Sequence, residues 1–228
     1  MLLLNLFSQP LDLAAVLIAI VIGLTVHEFA HAWMAARLGD LTAKYAGRLS
    51  LNPSRHFDFT GTLFLLLVGF GWGKPVPINP NALHGRYAEL KVSLAGPFSN
   101  ILMALICSIP IAIALGLGLS YEANIYLHFI RVIAEINVFF AAFNLLPIFP
   151  LDGSAIIKAL APRSWHYKLA DWERSGIIIL FGILFVEMVF RINILFPFIY
   201  AISRFFLFII AFVLQPFSYL SAYLSSLF

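Results

Sequence analysis

The chain has 228 residues, 62% of them hydrophobic and only 11% charged, with a mean hydropathy of +0.96. Soluble globular chains run near 45–50% apolar and about 25% charged, so this composition excludes a water-soluble domain and specifies a multi-pass membrane protein. At about 20 residues per span plus connections, the length holds about five or six spanning segments and no further soluble domain of ordinary size. The expected architecture is therefore all-α and polytopic, one domain over 1–228, with its motifs inside 11–200 and an apolar C-terminal segment at 201–228.

The net charge of +3 matters less than its distribution. Arg37, Lys44, Arg48 and Arg55 form one basic group, Lys74, Arg86 and Lys91 a second, and Lys158, Arg163, Lys168 and Arg174 a third. The positive-inside rule assigns all three to the cytoplasmic side of the cell membrane. The first ten residues carry no Lys or Arg, which favours an outside N-terminus, and no cleavable leader is expected. Nothing in these loops has the basic–aromatic pattern of a nucleic-acid binder. The one cysteine, Cys107, lies in an apolar run and reads as a small packing residue.

The first expected span runs from Leu11 to about Arg37, ended by Gly39-Asp40. Within it stands His27-Glu28-Phe29-Ala30-His31, preceded by an almost unbroken hydrocarbon stretch. In a helix, residues four apart share a face. The two imidazoles therefore converge, as two ligands of one zinc ion do at about 2.0–2.1 Å each. Glu28 then sits beside the metal, where it can take a proton from a bound water. Three polar groups among aliphatics are costly unless something binds them, so they are functional candidates by default.

Residues 40–60 alternate weakly and carry aromatics, compatible with short strands or a hairpin. The glycine-punctuated run from Gly61 to Gly73 is too short to cross, and a re-entrant or interfacial segment is expected. Lys74-Pro75-Val76-Pro77-Ile78-Asn79-Pro80 follows, with three prolines that enforce extended backbone. A second span is expected from Val92 to about Leu119, a short outer turn at 120–124, and a returning span from Ile125 to about Phe149. In that span Arg131 and Glu135, four residues apart, read as an internal pair. Its end, Asn144-Leu145-Leu146-Pro147-Ile148-Phe149-Pro150-Leu151-Asp152-Gly153, must break the helix, and broken backbone at membrane depth faces protein or a wet cavity. After a basic loop at 154–174, further spans are expected from Ser175 to about Phe190 and from about Asn193 to Leu214.

A catalytic zinc takes three protein ligands and keeps one position open. The extended His-Glu-x-x-His-x-x-Gly-x-x-His pattern is excluded, because Met34 and Arg37 stand where it needs Gly and His. His56, Asp58 and Asp152 remain as candidates. Asp152 is the best placed, since its segment and the first span both bring polar motifs to the cytoplasmic end, although Asp-Gly after two prolines is also a common turn. His56 reads as a group supporting the metal ligands or, preferably, as an interfacial polar residue, and His84, His128 and His166 as isolated packing or interface groups. Asn79 and Asn100 read as bordering the site, and turn and helix-start roles explain them equally well.

His27-Glu28-Phe29-Ala30-His31 in a first span, with Asn144 to Gly153 in a later one, resembles the site-2 protease family of intramembrane zinc metalloproteases. The likeness extends through Asn52-Pro53, Gly71-Trp72-Gly73-Lys74-Pro75-Val76-Pro77-Ile78-Asn79-Pro80 and Ala95-Gly96-Pro97-Phe98-Ser99-Asn100. It is similar to the compact bacterial and archaeal branch, without PDZ or CBS domains. The resemblance implies one zinc per chain held by His27, His31 and Asp152, with Glu28 as catalytic base. It further implies that Asn144 helps hold the scissile peptide or its oxyanion. The implied partners are membrane-spanning protein or peptide substrates and the lipid bilayer. The rival expectation is a membrane metal transporter or sensor using the same ligands without hydrolysis; it lacks the repeat symmetry and dispersed polar groups that transporters carry.

Overall fold

The computed structural model describes residues 9–68, 71–119 and 124–225, and the regular secondary structure over these residues is helical. The helices are α1 (Pro10–Arg37), α2 (Thr42–Tyr45), α3 (Phe59–Val68), α4 (Ala88–Gly116), α5 (Ile125–Asn144), α6 (Ser154–Leu160), α7 (His166–Phe190) and α8 (Phe196–Ser225). Single 3₁₀ turns stand at Pro53–Arg55, Pro80–Ala82 and Arg163–Trp165. Among the described residues four helices are long and apolar enough to cross a membrane: α1, α4, α5 and the Phe196–Tyr219 part of α8. The chain is an all-α polytopic membrane protein.

The bundle is α1, α4, α5 and α8, with α4 and α5 against each other at its centre. Small residues line the contacts. Ala15, Ala19, Ala32 and Ala35 of α1, Ala104 and Ala114 of α4, and Ala134, Ala141 and Ala142 of α5 are all buried. The large apolar side chains point the other way: Leu102, Ile106, Phe205, Phe208 and Phe212 are exposed. Lipid is as apolar as leucine, so membrane helices gain little by burying large side chains and gain more by close backbone approach over small ones. That inversion of the soluble pattern fixes which face of each helix is inside. Arg131 and Glu135 form the expected pair, at 3.6 Å, on a partly exposed part of α5.

Helix ends follow local chemistry. At the end of α1, Gly39 takes a positive φ of 105°, with Gly39 N–H donating to Ala36 O and Asp40 N–H to Ala35 O. This is the paired 5→2 and 6→1 closure that glycine permits after a helix. The Asp40 carboxylate then accepts from Thr42 N–H at 2.9 Å and so starts α2. Asn124 starts α5 by accepting from Tyr126 and Leu127 N–H.

Two regions differ from the sequence expectation. No strand forms among the described residues of 40–60; α2 and the 3₁₀ turn at Pro53–Arg55 stand there instead. The single β-type pairing among the described residues is an antiparallel bridge between Phe57 and Gly73, closing the chain on itself around α3, whose ten residues span about 15 Å. The segment expected to begin at Ser175 is the second half of α7, which runs unbroken from His166 because nothing between Asp171 and Gly176 stops a helix. Gly69, Phe70 and most of the expected outer turn at 120–124 lie outside the described residues.

Candidate metal centre

His27 and His31 lie one turn apart on the inner face of α1, both buried. Their Nε2 atoms are 3.0 Å apart. The broken end of α5 brings a third group to them. Past Asn144 the prolines at 147 and 150 stop the helix, and Gly153 N–H returns to donate to Asn144 O at 2.7 Å. A Cβ at Gly153 would collide with the Leu145 and Leu146 carbonyls, so only glycine allows this tight return. It sets Asp152 just before α6, with Oδ2 at 3.1 Å from His27 Nε2 and 3.4 Å from His31 Nε2.

The hydrogen bonds behind the histidines decide which form they take. His31 Nδ1 faces the Val92 carbonyl at 2.7 Å, which only accepts, so Nδ1 carries the proton. His27 Nδ1 lies 2.7 Å from Asn100 Oδ1. The orientation of Asn100 is set by its other end, whose Nδ2 donates to Gly23 O at 3.0 Å and to Asn137 Oδ1 at 2.8 Å. His27 Nδ1 is therefore also a donor. Both Nε2 atoms then present bare lone pairs, toward each other and toward a carboxylate. Asp152 Oδ2 is buried without a hydrogen-bond partner.

Three converging lone pairs repel unless a cation sits among them. Four-coordinate zinc with bonds of about 2.0–2.1 Å separates its ligand atoms by about 3.3 Å; the three edges here are 3.0, 3.1 and 3.4 Å. Among the described residues this is the one cluster of three or more His, Cys, Asp or Glu able to hold a metal. Its floor is backbone. A Cβ on Gly96 of α4 would stand 2.5 Å from His31 Nε2 and 2.7 Å from His27 Nε2, occupying the space the donors surround. The donor set, its tautomers and the missing Cβ fit zinc.

Glu28, half-buried on α1, accepts from Val76 N–H at 3.2 Å. The proline-rich segment is thus tied to it. Asn144 donates one amide hydrogen from Nδ2 to Phe140 O at 3.0 Å; the second hydrogen of that amide is left for another acceptor.

The remaining sequence candidates stand elsewhere. His56 is fully buried and donates from Nε2 to Ser50 O at 2.6 Å. Asp58 caps the start of α3 by accepting from Gly61 N–H. Asn79 caps the 3₁₀ turn at Pro80–Ala82. His84 holds the turn after α1 through Leu38 O, and His128 pairs with Asp12 at 2.8 Å. Asn100 belongs to the site and is not a helix-start residue, because α4 begins at Ala88, three turns earlier. Asn137 and Gly96 were not singled out by sequence reasoning. Asn137 carried a usable signal, being a polar side chain in mid-span.

A model of the family described as peptidase family M50 matches residues 107–189. YwhC of Bacillus subtilis (strain 168), described by name as a zinc metalloprotease, is 39% identical over 182 residues, 78% of this chain and 83% of its own length. Rip2 of Mycobacterium tuberculosis (strain Erdman), with the same descriptive name, is 32% identical over 187 residues, 75% of this chain and 68% of its own. The zinc metalloprotease MJ0392 of Methanocaldococcus jannaschii is 21% identical over 194 residues, 82% of this chain and 48% of its own. No solved structure matches. Apolar spanning helices and these relatives define the class: a zinc metalloprotease of the membrane. The chain belongs to peptidase family M50, the site-2 proteases.

Proposed function

We propose that this protein hydrolyses peptide bonds of membrane-spanning substrates inside the bilayer, the cutting step of regulated intramembrane proteolysis. His27, His31 and Asp152 would hold one zinc ion, with Glu28 as general base. The observation that carries this reading is the convergence of two imidazole nitrogens and a carboxylate oxygen one residue from Glu28, in a bundle of lipid-facing helices.

Zinc bound there supplies Lewis acidity and lowers the pKa of a water it holds toward about 7. The Glu28 carboxylate takes the proton of the attacking water and returns it to the leaving amide nitrogen. The free hydrogen of the Asn144 amide is available to a carbonyl oxygen of the scissile peptide. A helical substrate has its carbonyls occupied, so it must unwind locally. The extended 74–80 segment, exposed at Pro75 and Pro77, offers an edge on which unwound chain can lie.

The basic loops after α1, before α4 and after α6 support an orientation with the site's end of the bundle toward the cytoplasm, by the positive-inside rule. α3, enclosed by the Phe57–Gly73 bridge, then enters and leaves on that side. The test is metal analysis together with cleavage of a single-span substrate in detergent or nanodiscs. Wild type is expected to cut, and Glu28→Gln to keep its zinc and lose cleavage. Equal cleavage by the two would sink the reading.

A further inference from the structure

The basic loop after α1 places a charge where neither fold nor zinc requires one. α2 ends in a second glycine closure: Gly47 takes a φ of 69°, Gly47 N–H donates to Lys44 O and Arg48 N–H to Ala43 O. This turn sends Arg48 back into the protein, where it is 5% exposed. One arm of its guanidinium donates to the Lys74 carbonyl. It forms no ion pair among the described residues, and its Nε–H is buried without a partner. Burial pulls its pKa below the ordinary arginine range, opposed by the negative charge of Glu28 nearby. A buried, charged donor with an unmade hydrogen bond is costly, and such groups are normally satisfied.

Its surroundings indicate what completes it. Lys74 is held twice, by N–H to His56 O at 2.7 Å and by its carbonyl to Arg48. Two residues on, Val76 N–H reaches Glu28 Oε2. Arg48, at the Lys74 carbonyl, and Glu28, at Val76 N–H, thus hold the same strap two residues apart, and the Glu28 carboxylate is close enough for its charge to act on the Arg48 guanidinium.

We propose that Arg48 is a substrate-binding residue: its unpaired Nε–H receives a backbone carbonyl oxygen of the unwound substrate beside the scissile bond. The inference rests on the proteolytic reading above. A peptide carbonyl supplies the missing acceptor without adding charge, and any sequence carries one.

The experiment measures binding apart from turnover. In the zinc-loaded Glu28→Gln protein in nanodiscs, a fluorescent single-span peptide is titrated with and without Arg48→Gln. A set of peptides carries one amide-to-ester replacement at successive positions, which weakens the preceding carbonyl as an acceptor. The expected result is at least a tenfold loss of affinity in Arg48→Gln at unchanged zinc content. One ester position should weaken binding to the Arg48 protein and have no further effect in Arg48→Gln, since both changes remove the same bond. Affinity within twofold of the parent overturns the proposal. So does an ester effect of equal size in both proteins, which would make Arg48 only a pin for the strap. Arg48→Lys, which keeps charge and reach but not the fork, supplies the same cycle if Arg48→Gln does not fold. Failure of the underlying reading is distinct: Glu28→Gln alone would still cleave.

Discussion

Gly96→Ala adds one methyl group at the place where the metal donors meet. Its Cβ would lie 2.5 Å from His31 Nε2, 2.6 Å from His27 Cε1 and 2.7 Å from His27 Nε2. Ordinary contact is about 3.5 Å, so α4 and α1 must separate by about 1 Å or the imidazoles must turn. A zinc site tolerates about 0.2 Å in its ligand distances. Turning the rings breaks the Nδ1 bonds to Asn100 and Val92 as well, and the loss of such supporting bonds alone lowers metal affinity about 10–100-fold. The expected fall in zinc affinity is therefore at least about 100-fold, near 2.7 kcal/mol, with an overpacking cost of about 1–3 kcal/mol to the bundle. Chelator competition reads the affinity, and the rise in thermal stability on adding zinc reads it independently. The matched control is Gly182→Ala on α7, where an added Cβ meets nothing within 4 Å; its zinc affinity should equal wild type. Wild-type zinc affinity in Gly96→Ala would refute the placement of the donors against α4.

Asn100→Ala removes the acceptor that holds the His27 tautomer and unties α4 from Gly23 and Asn137. Zinc affinity should fall about 10–100-fold, and the absorption spectrum of the cobalt-substituted protein should change with it; an unaltered spectrum counts against the tautomer argument. Asp40 is buried, and burial pushes its carboxyl pKa upward, but hydrogen bonds from Thr42 and the Asn79 backbone outweigh this and hold it below the ordinary 3.8. A folded-state pKa below the unfolded one stabilises the protein above pH 3.8 and is lost as pH falls through the depressed value. The stability advantage of wild type over Asp40→Asn should therefore be flat near neutrality, at about 1–2 kcal/mol, and shrink below about pH 4 in thermal unfolding. An advantage independent of pH would show that the charge of Asp40 contributes nothing.

The pairing of His27 and His31 was legible because the helical period alone puts the two imidazoles on one face. Asp152 was legible because two prolines had to end α5 beside a carboxylate, and the tight return at Gly153 places that carboxylate on the histidines. Asn100 stayed open between the site and a helix start because of a boundary: with the helix taken to begin near Val92 both roles fitted, whereas Glu89 and Lys91 already belong to α4. The weak alternation at 40–60 pointed to strands, but Asp40 capping and the glycine closure at Gly47 win locally, and no neighbouring strand exists there to reward an extended chain. Arg48 looked like one more basic loop residue. Its burial depends on a turn and on a carbonyl 26 residues away, which no local pattern encodes.

The separation of the three donors along the chain has a consequence for biosynthesis. His31 and Asp152 stand 121 positions apart, and Asp152 reaches the histidines only after α4 and α5 have entered the bundle between them. At translation rates of about 5–20 residues per second, the nascent chain carries its histidine pair for about 6–24 s before the aspartate is made. During that interval the chain has two donors and no third, and Asn100, which sets the His27 tautomer, is itself made only after the first 69 of those residues. The metal centre thus needs groups from three helical segments made one after another, and a copy that stops short of Asp152 is an inert bystander among the other nascent chains around it.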